Sequence, residues 1–185
     1  VATAILAGDA LQTEACFFLA ARTPNRDRVP ALGAELASAA GPSGMVGGEI
    51  ADIEAEGDEP DERTVEAIHV KKTAALFRAS AVMGGLAAGA GAEFLNALAR
   101  YGEALGHAFQ IVDDVLDETG DAETLGKNPG KDRAARKMSY PAAVGLDASV
   151  EKAGEWAGRA IRALLPLERS EMLEALAEVT VTRVR

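Results

Sequence analysis

Three aspartates, Asp113, Asp114 and Asp117, stand within five residues at the end of an apolar, helix-like segment. In a helix, residues three and four apart are neighbours, so these carboxylates would project from adjoining parts of one surface. Like charges at this spacing repel by roughly 0.2–0.5 kcal/mol per pair, and no lysine follows at i+4 to offset the repulsion. A hard divalent cation such as Mg²⁺ would turn repulsion into attraction, because it takes carboxylate oxygens and commonly shares them with a substrate phosphate. An acidic, solvated helix end is the alternative.

Lys72 is the second candidate for chemistry, because it lies in line with apolar residues four positions before and after it, Ile68 and Leu76. A lysine inside an apolar stripe must either extend its ammonium group to solvent or meet a buried anion. Both interpretations stay open at this stage. Thr73 is the next residue and could donate a hydrogen bond to the same anion.

A basic segment comes after the aspartates. Residues 126–137 contain five lysines and arginines, Lys127 and Lys137 among them, in a chain whose formal net charge is -10. Glycines, lysines and carboxylates together can hold a diphosphate through metal ions. A solvated basic loop is again the alternative.

Other polar residues carry a weaker signal. Glu49 and Asp52, three apart on a predicted helix, could face the same site or form an ordinary amphipathic surface. His69 and His107 are the only histidines, too few for a zinc or di-iron site with this carboxylate pattern. We predict structural or peripheral roles for both histidines.

Composition limits the fold and the partners. The 185 residues predict one domain, and 48% hydrophobic with 4% aromatic residues predicts a core of small aliphatic side chains, which suits packed helices. The net charge of -10 argues against nucleic acid or an anionic membrane surface as partner. The single cysteine, Cys16, is predicted to pack in the core of a protein in a reducing, cytoplasmic compartment.

Periodicity and helix-boundary residues predict an all-α chain without internal repeats. Helices are expected over about 1–21, 30–41, 43–53, 61–84 and 93–118, then short helices interrupted by Pro141 and Pro166, and a last helix over 170–181. Polar residues break the first apolar stretch, so no membrane-spanning segment is predicted. The uncapped start at Val1 leads us to expect further sequence upstream.

Five segments together resemble the trans-isoprenyl (polyprenyl) diphosphate synthases. They are AILAGDAL at 4–11, GMVGGE at 44–49, IHVKKTAALF at 68–77, FQIVDDVLD at 109–117, and the stretch from Gly126-Lys127 to KMSYP at 137–141. The fourth segment resembles the second aspartate-rich region of that family. The resemblance covers nearly the whole chain.

The resemblance implies an isoprenoid (terpene) synthase-type helical bundle, usually a homodimer, with its active site in a cavity between helices. It implies Mg²⁺-dependent condensation of isopentenyl diphosphate with an allylic diphosphate, giving farnesyl or geranylgeranyl diphosphate. Asp113 would be a direct Mg²⁺ ligand, with Asp114 and Asp117 ligating directly or through water. The residues implied to hold the allylic diphosphate are Lys72, Lys127 and Lys137, with Thr73 and Gln110 assisting near the cation or the leaving group.

Two departures from the family pattern leave alternatives open. Glu49 stands where the family commonly has glutamine. The family's first aspartate-rich motif, its isopentenyl diphosphate-binding cluster and its determinants of product length lie upstream of a segment like 4–11. We therefore predict a single domain, 1–185, that lacks the N-terminal helices of the bundle. A non-catalytic subunit that dimerises with an active synthase is the main alternative. Terpene cyclisation is a further one, since Asp114, Asp117 and Asp121 have the spacing of a second metal motif.

Overall fold

The computed structural model of the chain describes residues 2–120 and 138–184, and this part is helical without any strand, as predicted. The elements in chain order are α1 (Ala2–Arg22), a 3₁₀ turn (Arg26–Arg28), α2 (Val29–Ala40), α3 (Met45–Glu54), α4 (Glu62–His69), a π-helical turn (Val70–Ala74), α5 (Ala75–Ala88), α6 (Ala92–Thr119), α7 (Tyr140–Val144), α8 (Leu146–Ala163) and α9 (Glu171–Thr182).

Helix α6 is the central element, 28 residues long, and it packs against both α5 and α8. Glycines allow its backbone to approach its neighbours closely. A Cβ atom at Gly102 would lie 2.6 Å from the Cα atom of Arg78, and one at Gly106 would lie 2.5 Å from the Cα atom of Ala74. Such distances leave no room for a side chain. The backbone of α6 therefore touches both α5 and the end of the π-helical turn.

The core contains few large side chains. One cluster surrounds Ile111, Val112 and Tyr140, which are fully buried, and a second surrounds Tyr101 and Leu164. Alanines of α6 and α8 fill much of the remaining space. The low aromatic content of the sequence is thus accommodated by helices that lie close together.

One helix expected from the sequence is divided in two. Asp61 caps α4 as predicted, with its Oδ1 atom accepting a hydrogen bond from the Thr64 N–H at 3.0 Å. The expected helix to residue 84 is interrupted by the π-helical turn, which inserts an extra residue and rotates α5 relative to α4. The buried residues of this segment include Ile68, Ala74 and Ala79, whereas Lys72 and Leu76 are both partly exposed. The alignment of Lys72 with Leu76 stays a prediction.

Helix α1 corrects a second prediction. No residue of α1 is buried, and Cys16 is exposed instead of packed in a core. Phe17 and Phe18 are also more than half exposed. The physical reason is that α1 packs mainly along α2, which covers only part of its apolar surface.

Helix α1 is also the one element among residues 2–120 and 138–184 that is long and apolar enough, by length and composition alone, to cross a bilayer. Core helices and signal sequences meet the same criteria, so this observation assigns no membrane location. The predicted absence of a membrane-spanning segment stays a prediction.

The third difference lies after residue 140. Helix α8 is 18 residues long, so the prediction of short helices in this region is wrong. Pro141 lies in the first turn of α7 and does not interrupt a helix. A proline is tolerated there because its missing N–H has no partner within the helix.

His107 is a buried titratable group in the interface between α6 and α8. Its ring stacks on Trp156 with centroids 4.2 Å apart and planes 8° apart. Burial lowers the pKa of His107 from 6.5 to about 4, with nearby His69 contributing in the same direction. The histidine is therefore neutral in the folded protein at neutral pH.

This depressed pKa predicts sensitivity to acid. In the unfolded chain, His107 takes up a proton as the pH falls below its ordinary pKa of 6.5. In the folded protein, His107 stays neutral until the pH reaches about 4. Stability is thus lost as the pH falls through this window, by roughly 2 kcal/mol between pH 7 and pH 5. The free energy of unfolding is measured with urea at pH 7 and pH 5. Its fall between the two pH values should be about 2 kcal/mol larger in the wild type than in His107→Phe, a variant that keeps a ring against Trp156. Equal losses in both proteins would contradict the assignment.

Candidate active site

Asp114 is the buried centre of a hydrogen-bond network. Its side chain is 3% exposed, although it belongs to the acidic triplet. Its Oδ2 atom accepts a hydrogen bond from the Tyr140 backbone N–H at 2.9 Å and lies 3.2 Å from His69 Nε2. Its Oδ1 atom accepts a hydrogen bond from Gln110 Nε2 at 3.2 Å. One carboxylate thus joins α6 to the end of α4 and to the start of α7.

Thr73 and Gln110 form a second link in the same network. The Thr73 hydroxyl donates to Gln110 Oε1 at 2.6 Å, and the amide nitrogen of Gln110 donates to Asp114. With its oxygen and nitrogen both engaged, the Gln110 amide has one orientation. The predicted pair Thr73 and Gln110 is therefore brought together, and the π-helical turn is tied to α6.

Lys72 meets an anion of its own chain. Its Nζ atom lies 2.6 Å from Glu49 Oε2 and 2.6 Å from Asp52 Oδ2, both on α3. Partial burial by itself would lower the pKa of Lys72, but hydrogen bonds to Asp52 and Glu49 outweigh that effect and raise the pKa above its ordinary value. Lys72 is therefore charged at neutral pH. Glu49 and Asp52 face Lys72, which agrees with the first of the two interpretations given for them from the sequence.

Gly48 explains why α3 lies so close to Lys72. A Cβ atom at Gly48 would collide with the backbone N and Cα atoms of Lys72. Only glycine permits this approach of α3 to the π-helical turn. The contact brings the carboxylates of Glu49 and Asp52 within reach of the ammonium group.

The aspartate triplet is divided by its helix. Asp113 and Asp117 are partly buried, whereas Asp114 points into the core. Residues 2–120 and 138–184 contain no group of three or more His, Cys, Asp or Glu side chains arranged to hold a metal ion. Mg²⁺ is commonly held by one or two carboxylates together with phosphate oxygens and waters, so Asp113 and Asp117 suit such a site. The ligand roles of all three aspartates stay predictions. The oxygens of Asp114 accept hydrogen bonds from protein donors.

Lys127 and Lys137, predicted to hold a diphosphate, lie outside the described residues, as does Asp121. Their roles stay predictions.

Tyr140 was missed by the sequence reasoning. It is fully buried, and its hydroxyl lies 2.9 Å from Glu66 Oε1 and 3.1 Å from Glu62 Oε1, both on α4. Burial raises the pKa of Tyr140, and the neighbouring Glu66 and Glu62 raise it further. The phenol therefore stays neutral and donates its one proton to these carboxylates. The available sequence signals were its place in the segment KMSYP and the following Pro141, which suits the first turn of a helix. Neither signal indicated its partners on α4.

The contact between His69 and Asp114 was also missed. His69 is 3% exposed, and its Nε2 atom is placed to donate to Asp114. Its Nδ1 atom is buried with no hydrogen-bond partner in the described part of the chain. Proximity to Lys72 and Thr73 in the sequence was the available signal, but it gave no indication of a partner far along the chain on α6.

Comparison with known proteins gives a consistent result. The family model described as Polyprenyl synthetase matches residues 1–179. A farnesyl diphosphate synthase of Escherichia coli (strain K12) is 42% identical over 191 residues, covering 98% of this chain and 64% of the relative. A geranylgeranyl diphosphate synthase of Cyanophora paradoxa is 42% identical over 153 residues, covering 81% of this chain and 51% of the relative.

Solved structures agree with the sequence relatives. A crystal structure of a geranyltransferase from Helicobacter pylori, complexed with magnesium and isoprenyl diphosphate, matches with a TM-score of 0.83 and 28% identity. The match covers 98% of this chain and 60% of that one. The chain thus spans between about half and two thirds of the length of these three relatives.

The hydrogen-bond network around Asp114 predicts that Asp114 contributes more than Asp113 to the stability of the folded protein. Asp114→Ala removes an acceptor from three donors, two of them in buried residues, and should destabilise the protein by about 3–5 kcal/mol. Asp113→Ala on the same helix removes the same charge from a partly exposed position and should lower stability by less than about 1 kcal/mol. Chemical unfolding of the two variants measures the difference. Equal losses would show that Asp114 has no special structural role.

Proposed function

The chain belongs to the polyprenyl synthetase family, and we propose that the full-length protein is a short-chain trans-isoprenyl diphosphate synthase. It would condense an allylic diphosphate with isopentenyl diphosphate. In this reaction the allylic C–O bond breaks and diphosphate leaves. The double bond of isopentenyl diphosphate then attacks the allylic cation, and loss of a proton yields a prenyl diphosphate longer by one unit. Farnesyl or geranylgeranyl diphosphate is the expected product.

One observation carries this proposal: the π-helical turn that contains Lys72 and Thr73 is hydrogen-bonded, through Thr73, to the helix that carries Gln110 and the aspartates. Thr73 contacts Gln110, and Gln110 contacts Asp114, which is flanked by Asp113. The turn that carries the Lys72 ammonium group is thereby tied to the helix that carries the aspartates. A ligand that carries negative charge and is bound together with a cation fits such an arrangement.

Mg²⁺ is the cofactor we propose, because carboxylate oxygens are its preferred protein ligands. When bound, it would stabilise the negative charge that develops on the leaving diphosphate. We propose that Asp113 and Asp117 hold it, because both are partly exposed and lie four residues apart on one face of α6.

The chain's own residues would then orient the substrate. Lys72 would bind an oxygen of the allylic diphosphate through its charged ammonium group. Thr73 and Gln110 would present fixed dipoles close to it, because their mutual hydrogen bond is 2.6 Å long and leaves little freedom. Preorganised groups of this kind favour the charged state without having to reorient during the reaction. A homodimeric assembly and the roles of Lys127 and Lys137 stay predictions from the family resemblance, and a cytoplasmic location stays a prediction from the single cysteine.

The proposal predicts that Asp113 is required for turnover. With Mg²⁺ and both diphosphates supplied to the full-length protein, Asp113→Ala should lower kcat/KM for the allylic substrate by roughly a hundredfold or more. Glu103→Ala removes the same charge from an exposed position on α6 and should leave kcat/KM unchanged. Unchanged turnover in Asp113→Ala would remove the metal assignment.

A further inference from the structure

Lys72 is neutralised by more than one acid. Glu49 and Asp52 each place a carboxylate oxygen 2.6 Å from its Nζ atom, so two negative charges face one positive charge. A diphosphate that approaches this position would meet a negative cluster. Binding through Lys72 therefore requires at least one carboxylate to give way.

The two acids differ in exposure. The Asp52 side chain is 17% exposed and the Glu49 side chain 48% exposed. Separating a largely buried carboxylate from its partner is costly, whereas a half-exposed one can turn into water at little cost. Asp52 is thus the permanent partner of Lys72, and Glu49 is the exchangeable one.

The position of the α3 backbone relative to Lys72 is fixed by a close contact at Gly48. Gly48 holds α3 against the backbone of Lys72 without space for a Cβ atom, so α3 cannot move closer and its side chains start from fixed positions. Rotation of the half-exposed Glu49 side chain is the exchange at Lys72 that keeps this backbone contact intact.

We propose that Glu49 sets the affinity of this protein for its allylic diphosphate, by competing with the diphosphate for Lys72. This inference rests on the proposed function. The free protein holds Lys72 between Asp52 and Glu49, and the bound protein holds it between Asp52 and a phosphate oxygen. Glutamine at position 49, which the family commonly has, would accept a hydrogen bond from Lys72 without the opposing charge.

The test compares Glu49→Gln with Glu54→Gln in the full-length protein. Both changes remove one negative charge from α3, but Glu54 is exposed and makes no contact with Lys72 among the interactions described. Glu49→Gln should lower KM for the allylic diphosphate by roughly two- to fivefold, the range expected for a half-exposed ion pair, with kcat unchanged. KM for isopentenyl diphosphate should stay unchanged. Glu54→Gln should match the wild type in all three constants.

Calorimetric titration of inorganic diphosphate in the presence of Mg²⁺ provides a second readout that needs no turnover. Binding should be tighter in Glu49→Gln than in Glu54→Gln. The role of Glu49 would be overturned if the two variants had the same allylic KM and the same affinity for diphosphate. It would also be overturned if Glu49→Gln had the higher KM and the lower affinity. If the wild type bound diphosphate but transferred no prenyl group, the proposed function would fail while the competition at Lys72 could still be decided by this titration.

Discussion

The site depends on one buried carboxylate. Asp114 joins three segments that are far apart in sequence, because the Tyr140 N–H, His69 and Gln110 all converge on its two oxygens. A charge buried to this degree is stable only when its oxygens are fully engaged. The donors therefore fix Asp114, and Asp114 in turn fixes the elements that carry them. The orientation of Asp113 on the neighbouring surface of α6 results from that constraint.

Close backbone contacts provide the second constraint. Gly48 places α3 against the π-helical turn, and Gly106 places the same turn against α6. The turn is thereby held from two sides at the point where it presents Lys72 and Thr73. Rigid support of this kind is required in a binding site for a charged substrate, since orientation achieved before binding need not be provided by the ligand. The abundance of alanine and glycine in the sequence serves the same purpose.

Much of the fold could be predicted from the sequence, because helix periodicity and end signals such as the Asp61 cap are local. The π-helical turn could not be predicted, since nothing in the local sequence distinguishes it from an α-helix. The inward orientation of Asp114 depends on Tyr140, which lies 26 residues away in the sequence. From spacing alone, Asp114 is grouped with Asp113 and Asp117. Long-range partners of this kind are set by packing and not by pattern. The family resemblance supplied the chemistry that spacing left open.

The most direct test of the account is prenyl transfer by the full-length protein, with and without Mg²⁺. An allylic diphosphate and isopentenyl diphosphate are incubated with the protein, and the lengths of the prenyl products are determined together with the inorganic diphosphate released. The account predicts a longer prenyl diphosphate and one released diphosphate per unit added when Mg²⁺ is present, and neither after chelation with EDTA. Elongation that persists without a divalent metal, or no elongation with it, would contradict the account.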